Sequence, residues 1–165
     1  MKILYIFIFV IVLLLKYQKT EFFNKKPIIW LYWENKPNKT MPEYLKLCLE
    51  TIYKHCSVDF NIIILDEKTV FNYLPNLRTD LNKLLIAQKT DYIRIKLLYE
   101  YGGLWLDIDT IVMSSLNPIL TKLKTYDFVG FGCSGKYCTN GYSKPSNGAL
   151  ACKKNNILMK NILDD

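Results

Sequence analysis

The chain contains few of the residue types that commonly carry acid–base and metal chemistry at neutral pH. Its 165 residues include one histidine, His55, and two arginines, Arg78 and Arg94. Its five cysteines show no Cys-x-x-Cys or Cys/His spacing of the kind that binds zinc. Binding to nucleic acid usually relies on a basic stripe with well-placed arginines, so the sequence argues against a nucleic-acid partner. We assign His55 to a helix end rather than to catalysis.

Apolar and basic residues, by contrast, are abundant. Half of the chain is apolar, 14% is aromatic, and the formal net charge is +7, mostly from scattered lysines. This composition, at this length, predicts one folded domain with a substantial core. A diffuse positive field suits anionic small molecules, phosphates or an anionic membrane surface.

The N-terminus carries a long apolar run. Residues 3–15 contain no charge, and no small-x-small cleavage site follows them. We therefore predict an uncleaved signal anchor over residues 1–19, then a short stem over residues 20–26. The predicted localisation is a single-pass membrane protein, of the Golgi or ER type in a eukaryotic cell. Lysines on both sides of the run leave the side of the membrane open, and a buried helix or strand is the alternative interpretation.

Strand-like and helix-like segments alternate after the stem. Predicted strands cover residues 27–33, 60–65, 104–106 with a continuation over 110–113, 127–131 and 148–151. Predicted helices cover residues 43–55, 66–73, 75–87, 90–101 and the segment from about residue 155. This alternation predicts an α/β sandwich with a mostly parallel sheet. In such sheets, ligands bind beyond the carboxyl ends of the strands.

Two aspartates follow a short apolar strand in the sequence YEYGGLWLDIDT, residues 99–110. Residues two apart on an extended segment point the same way, so Asp107 and Asp109 can aim at one point. Two converging carboxylates repel each other unless a cation lies beside them. Mg²⁺ and Mn²⁺ take oxygen ligands, commonly one or two carboxylates together with substrate phosphates. The Gly102–Gly103 pair predicts a sharp turn between the preceding helix and this strand.

The longer segment TDYIRIKLLYEYGGLWLDIDT, residues 90–110, resembles the signature of the DXD-motif sugar transferases of glycosyltransferase family 32. That family includes Och-type mannosyltransferases and sugar transferases of capsular polysaccharide synthesis. The segment is also similar to the catalytic core of the large clostridial glucosylating toxins. The resemblance extends more loosely from residue 27 to about residue 163. PIIW at residues 27–30 matches the opening strand, and SNGALA at residues 146–151 resembles a later segment near the acceptor.

This resemblance implies a Rossmann-like sandwich of the glycosyltransferase A type, with a mostly parallel central sheet, over residues 27–165. It implies a glycosyltransferase that moves a sugar from a UDP- or GDP-sugar to a glycan, lipid or protein acceptor. The implied cofactor is Mn²⁺ or Mg²⁺, which bridges the donor diphosphate. No His or Glu stands out as a general base, which suits transfer with retention of configuration.

The resemblance also implies roles for five residues. Asp107 and Asp109 form the catalytic pair: Asp109 ligates the metal directly, while Asp107 holds ribose and donor-sugar hydroxyls and reaches the metal through water. Asp91 and Arg94, three apart on one helix face, grip the donor sugar and its phosphate side. Trp30 stacks on the base.

Other interpretations of these residues stay open. Asp91 could be only a helix cap, and Arg94 only a surface charge. Of Trp30 and Trp33 one must be a core residue, and we place Trp30 in the site. An aspartyl-phosphate phosphatase also has Asp-x-Asp after an apolar strand, but its pattern needs Thr or Val where this chain has Ile111.

The C-terminus suggests a second functional interpretation. The chain stops inside an apparent helix, where family members usually continue, so we expect the usual C-terminal part to be missing. The alternative to an active enzyme is therefore a truncated or degenerate transferase that binds a nucleotide sugar without transferring it.

Overall fold

The computed structural model describes residues 26–35, 38, 40–132 and 145–164, together with residue 11 alone. Apart from residues 11 and 26, the predicted anchor (1–19) and stem (20–26) lie outside these residues and stay predictions. Within the described part of the chain, none of the helices combines the length and the apolar character that a membrane crossing requires.

The described residues form five strands and four α-helices. The strands are β1 (Ile28–Tyr32), β2 (Asn61–Leu65), β3 (Gly103–Leu106), β4 (Phe128–Gly132) and β5 (Pro145–Cys152). The helices are α1 (Glu43–Cys56), α2 (Ile86–Tyr101), α3 (Asn117–Thr125) and α4 (Ile157–Asp164), with short 3₁₀ helices at Thr69–Asn72 and Leu81–Lys83. The predicted α/β class is confirmed.

The five strands form one sheet in the order β2-β1-β3-β5-β4. β1 pairs in parallel with both β2 and β3, whereas β5 runs antiparallel to both of its neighbours, β3 and β4. Four strands therefore point in one direction, which agrees with a mostly parallel sheet, and β5 is the reversed exception. Because β1, β2 and β3 share a direction, their carboxyl ends lie along one edge of the sheet.

The sheet is covered by helices on both faces. Successive residues of a strand point to opposite faces, and β1 shows this clearly. Trp30 and Tyr32 belong to a core shared with α2, whereas Ile29 and Leu31 belong to a second core shared with α1 and α3. Burial on both faces explains why β1 reads as an unbroken apolar run.

The turn from α2 into β3 needs both of its glycines. Gly102 has a φ of 68° and Gly103 a φ of 100°, which side chains rarely tolerate. A Cβ on Gly102 would lie 2.6 Å from the backbone nitrogen of Lys154, and a Cβ on Gly103 would lie 2.5 Å from the carbonyl oxygen of Ile28. The Gly102 carbonyl also accepts a hydrogen bond from Trp30 Nε1 at 2.9 Å. The predicted sharp turn therefore exists, and Trp30 holds it in place.

The segment before this turn differs from the prediction. α2 begins at Ile86, so the helix predicted over residues 75–87 is wrong except for its last two residues. The new start is stabilised by Gln88, whose side-chain oxygen accepts the Leu85 N–H at 3.1 Å. A side chain that returns to the backbone in this way fixes a helix start earlier than the apolar stripe suggests.

Three further corrections concern short segments. Residues 110–113 form no strand, and the helix predicted over residues 66–73 is reduced to the 3₁₀ turn at Thr69–Asn72. α3 was not predicted at all, although the Asn-Pro pair at its start is a helix signal. Its first N–H, on Asn117, donates to Ser115 Oγ at 3.2 Å.

Candidate functional site

A cleft of about 850 Å³ lies beyond the carboxyl ends of β1 and β3. Its charged lining residues are Glu34, Asp91, Arg94, Asp107 and Asp109. Its walls come from five parts of the chain: the segment after β1, the start of α1, the first half of α2, the end of β3 and the start of β5. The cleft therefore lies where the strand pattern predicted a ligand, and it brings together four of the five predicted site residues.

Arg94 is the centre of one side of the cleft. It is only 4% exposed, and its Nη2 lies 3.2 Å from the Oδ1 atoms of both Asp91 and Asp107. Its Nη1 donates to the carbonyl oxygen of Asn147, and its guanidinium carbon lies 5.0 Å from the ring centroid of Trp105. One buried cation thus ties together α2, the end of β3 and β5.

These contacts bear on two alternatives left open by the sequence, namely that Asp91 is only a helix cap and Arg94 only a surface charge. Asp91 lies in the second turn of the helix, so it does not cap the helix start. Its Oδ1 accepts a hydrogen bond from Asn147 Nδ2 at 3.1 Å in addition to facing Arg94. Arg94 is buried and is not a surface charge. Both residues are parts of the cleft wall.

Asp107 is held rigidly by its neighbours. Its Oδ1 accepts hydrogen bonds from Trp105 Nε1 at 2.9 Å and from Arg94 Nη2 at 3.2 Å. Its other oxygen, Oδ2, lies so close to Gly148 that a Cβ at that position would be 2.8 Å away. The backbone N–H of Asp107 donates to the Gly148 carbonyl at 2.8 Å. Gly148 is therefore needed for space, a role that the sequence did not reveal.

Asp109 differs because its carboxylate is exposed and makes no hydrogen bond to any described residue. Its backbone carbonyl oxygen accepts a hydrogen bond from Cys48 Sγ at 3.4 Å. A free carboxylate beside a fixed one can take an external ligand without first breaking a protein contact. We call Asp91, Arg94, Asp107 and Asp109 the aspartate side of the cleft.

The aspartate side has an excess of negative charge. Three carboxylates face one guanidinium, which leaves two formal negative charges unbalanced. Among the residues that the structure describes, no three His, Cys, Asp or Glu side chains lie together as a complete cation site. Asp107 and Asp109 could hold a hard cation only together with oxygens from a bound molecule, which is a usual arrangement for Mg²⁺ with phosphates.

We call Tyr32, Trp33 and Glu34, with Lys89 packed behind them, the Glu34 side of the cleft, and this side is balanced in charge. Lys89 Nζ lies 2.8 Å and 3.1 Å from the two carboxylate oxygens of Glu34, and the Tyr32 hydroxyl donates to the nearer one. The side chains of Lys89 and Glu34 are only 10% and 19% exposed. Burial, and then the adjacent Glu34 carboxylate, raise the pKa of Tyr32 well above its usual value. Tyr32 therefore stays a hydrogen-bond donor at neutral pH.

Trp30 does not reach the cleft, which corrects its predicted place in the site. It is 0% exposed, and its ring packs edge-on against Tyr73 at a centroid distance of 5.1 Å. Its only polar atom already bonds the Gly102 carbonyl. An indole buried in this way cannot stack on a ligand, so Trp30 is the core tryptophan of the pair.

Trp33, unlike Trp30, lines the cleft, as Trp105 also does. It follows the last residue of β1, and its backbone N–H donates to the Leu65 carbonyl at 2.9 Å. Its Nε1 donates to Asn35 Oδ1 at 2.9 Å, which fixes the orientation of the ring. Both tryptophans lie within one apolar run, and only the end of the strand distinguishes them.

A comparison with protein families identifies the family of this chain. Residues 11–164 match the model of a family described as "Capsular polysaccharide synthesis protein". The chain belongs to this family. No curated protein matches it in sequence.

This family member also resembles solved structures. Five solved chains match it, among them one described as "PaToxG Glycosyltransferase". The TM-score is 0.54 at 18% sequence identity, over 85% of this chain and 59% of that one. This chain thus spans less than two thirds of the length of that glycosyltransferase chain, and at this identity the likeness shows the fold alone.

Proposed function

We propose that this member of the capsular polysaccharide synthesis family is a glycosyltransferase. Its donor would be a UDP- or GDP-sugar, and its acceptor a glycan, lipid or protein. The observation that carries the proposal is the convergence of Asp91, Arg94, Asp107 and Asp109 in one cleft beyond the carboxyl ends of parallel strands. Membership of the family and the similarity of the fold to a glycosyltransferase support it.

The proposal includes Mn²⁺ or Mg²⁺ on the aspartate side. The two unbalanced negative charges and the free carboxylate of Asp109 fit such a cation, and Asp109 would be its direct ligand. Asp107 would contribute through Oδ2, because its Oδ1 is occupied by Trp105 and Arg94. When bound, the cation would stabilise the negative charge that develops on a departing diphosphate.

We assign Arg94 a different role from the one that the resemblance implied. Its side chain is only 5% exposed and its Nη atoms already bond protein oxygens, so it would orient Asp91 and Asp107 rather than grip the donor. Asp91 has a side chain that is 54% exposed and would accept hydrogen bonds from sugar hydroxyls. Trp33 takes the role first given to Trp30, as the aromatic surface for the base.

The proposed transfer proceeds with retention. No histidine is among the described residues that line the cleft, the carboxylates of Glu34, Asp91 and Asp107 are paired with cations, and the unpaired carboxylate of Asp109 would hold the metal. A paired carboxylate is a poor general base, because taking a proton would weaken its ion pair. The leaving phosphate of the donor would then accept the proton of the acceptor hydroxyl.

A panel of UDP- and GDP-sugars with Mn²⁺, followed by mass spectrometry, tests this proposal. We expect hydrolysis or transfer with at least one donor, and loss of metal-dependent nucleotide binding in Asp109→Asn. The matched control is Asp127→Asn, which alters an exposed aspartate paired with Lys153 outside the cleft. Unchanged metal dependence in Asp109→Asn would contradict the site.

Two other outcomes bear on the function itself. Absence of binding and turnover with every donor would contradict the glycosyltransferase assignment. Nucleotide binding without any turnover would favour the second candidate, a degenerate transferase that only binds.

We also propose that residues 1–19 anchor the protein in a membrane. The uncharged run over residues 3–15 supports this. Fractionation of the full chain against a chain that starts at residue 20 tests it. The full chain should sediment with membranes, and equal distribution of the two chains would contradict the anchor.

A further inference from the structure

The ion pair on the Glu34 side has no part in the proposed transfer step. It is nonetheless costly to build, because two opposite charges must be largely removed from water. Glu34 and Lys89 lie on separate elements, one after β1 and one in the first turn of α2. A pair of this kind in the wall of a ligand cleft suggests a role in recognition.

The hydrogen bonds of Glu34 leave one oxygen with spare capacity. Oε1 accepts from both the Tyr32 hydroxyl and Lys89 Nζ, whereas among the described residues Oε2 accepts only from Lys89, at 3.1 Å. A carboxylate oxygen has room for more than one donor. Glu34 lines the cleft and Lys89 does not, so a ligand would meet the carboxylate and not the ammonium group.

The charges indicate which part of a nucleotide this carboxylate would meet. A diphosphate belongs on the aspartate side, where a cation can offset its charge, and a bare carboxylate would repel it. The balanced Glu34 side suits the uncharged nucleoside, and Trp33, next to Glu34 in the chain, offers a flat ring there. Glu34 therefore lies where a base would present its edge.

We propose that Glu34 selects the base of the donor nucleotide, favouring uracil and guanine over cytosine and adenine. Uracil N3 and guanine N1 carry a hydrogen that a carboxylate can accept. The matching ring nitrogens of cytosine and adenine carry a lone pair, which a carboxylate repels. Because the amino groups beside them are donors, the selection requires Glu34 to face the ring nitrogen itself. This inference rests on the proposed function, because it assumes that the cleft binds a nucleotide.

Lys89 and Tyr32 act through Glu34 and are positioning residues. Their hydrogen bonds hold the carboxylate mainly through Oε1, so Oε2 keeps the capacity for a ligand. Lys89 also keeps this side of the cleft free of net charge. Loss of either residue should therefore reduce base discrimination without changing the response to Mn²⁺.

Calorimetric titration of UDP, CDP, GDP and ADP with Mn²⁺ tests the proposal directly. The comparisons are UDP against CDP and GDP against ADP, because each pair differs at the ring N–H and keeps a similar size. We expect at least one pair to differ by about tenfold or more in Kd, as for one charge-assisted hydrogen bond. In Glu34→Gln the same ratio should fall to about threefold or less, since an amide can also donate to a ring nitrogen.

The matched control is Glu100→Gln. It breaks the Lys96–Glu100 ion pair of 3.2 Å, which lies on α2 like Lys89 but outside the cleft lining. It should keep the wild-type ratio. If Glu34→Gln fails to fold because Lys89 is left unpaired, the Glu34→Gln/Lys89→Met double variant carries the same test. An unchanged affinity ratio in Glu34→Gln would overturn the proposal. Equally weakened binding of all four nucleotides would also overturn it, because that result would indicate a contact with the ribose.

The remaining outcomes separate this inference from the function on which it rests. If the wild type binds all four nucleotides with one affinity, nucleotide binding stands and base selection by Glu34 is wrong. If it binds none of them with Mn²⁺, both the proposed function and this inference are contradicted.

Discussion

The two sides of the cleft solve opposite electrostatic problems. On the aspartate side, one buried guanidinium contacts two of the three carboxylates, and the third, that of Asp109, makes no hydrogen bond to the described residues. On the Glu34 side, one carboxylate meets one ammonium group, and a tyrosine hydroxyl completes the contact. The first side carries unbalanced negative charge and the second carries none.

This difference shows how one cleft can bind a molecule with a charged end and an uncharged end. A divalent cation is attracted where carboxylates are in excess, and phosphates can follow it. An uncharged ring needs placed acceptors and a flat apolar surface instead. The charge of each side thus predicts which half of a nucleotide it would hold.

The largest expected effect comes from Arg94→Met, which removes the one cation on the aspartate side. Asp91 and Asp107 would then lie together without a cationic partner among the described residues, so the free energy of unfolding should fall by about 3–5 kcal/mol. Urea unfolding measures this. The control is Arg78→Met, since Arg78 pairs with Asp80 at the surface and its loss should leave the transition near wild type. A transition for Arg94→Met close to that of the control would contradict the central role of Arg94.

Gly148→Ala should disturb the aspartate side alone. The new Cβ would lie 2.8 Å from Asp107 Oδ2, so the carboxylate must move. We expect a cost of about 1–3 kcal/mol in the free energy of unfolding, as for other overpacked sites, together with weaker Mn²⁺ binding. The UDP-to-CDP affinity ratio is the internal control and should not change. A changed ratio with intact Mn²⁺ binding would show that the two sides are not independent.

Alkaline pH should act on the Glu34 side. Burial raises the pKa of Tyr32 in the folded protein above its value of about 10 in the unfolded chain. The protonated Tyr32 hydroxyl therefore contributes fully to stability below pH 10, and this contribution is lost as the pH rises above 10. Relative to Tyr32→Phe, the wild type should lose up to about 1.4 kcal/mol of unfolding free energy per pH unit above 10. Parallel pH profiles for the two proteins would contradict the burial of the hydroxyl.

Ionic strength should give the smallest effect and should separate the two sides. Asp109 and Asp91 are exposed, so dissolved salt screens their attraction for a cation. Mn²⁺ affinity should fall severalfold between low and physiological salt, as titration calorimetry can measure. The proposed base preference would rely on Glu34, whose side chain is only 19% exposed, and should stay the same. A base preference that falls in parallel with Mn²⁺ affinity would contradict the assignment of separate roles.

Much of the fold could be predicted from local signals. The apolar run of β1, the Gly102–Gly103 turn and the aspartates after β3 are encoded in consecutive residues, and each is where the pattern indicated. The direction of the strands could be predicted in part. Parallel strands are commonly buried on both faces, which produces unbroken apolar runs in the sequence. The reversed direction of β5 could not be predicted, since its pairing with β3 joins strands that α3 and β4 separate in the chain.

The sequence by itself determined the strand, turn and Asp-x-Asp order, because side-chain period and glycine conformation are properties of neighbouring residues. Only the tertiary structure decided which of Trp30 and Trp33 reaches the cleft. Trp30 and Trp33 share one apolar run, and the end of the sheet buries one and leaves the other at the cleft. The Glu34–Lys89 pair also depends on the tertiary structure, because its partners are 55 residues apart and meet only when α2 packs on the sheet.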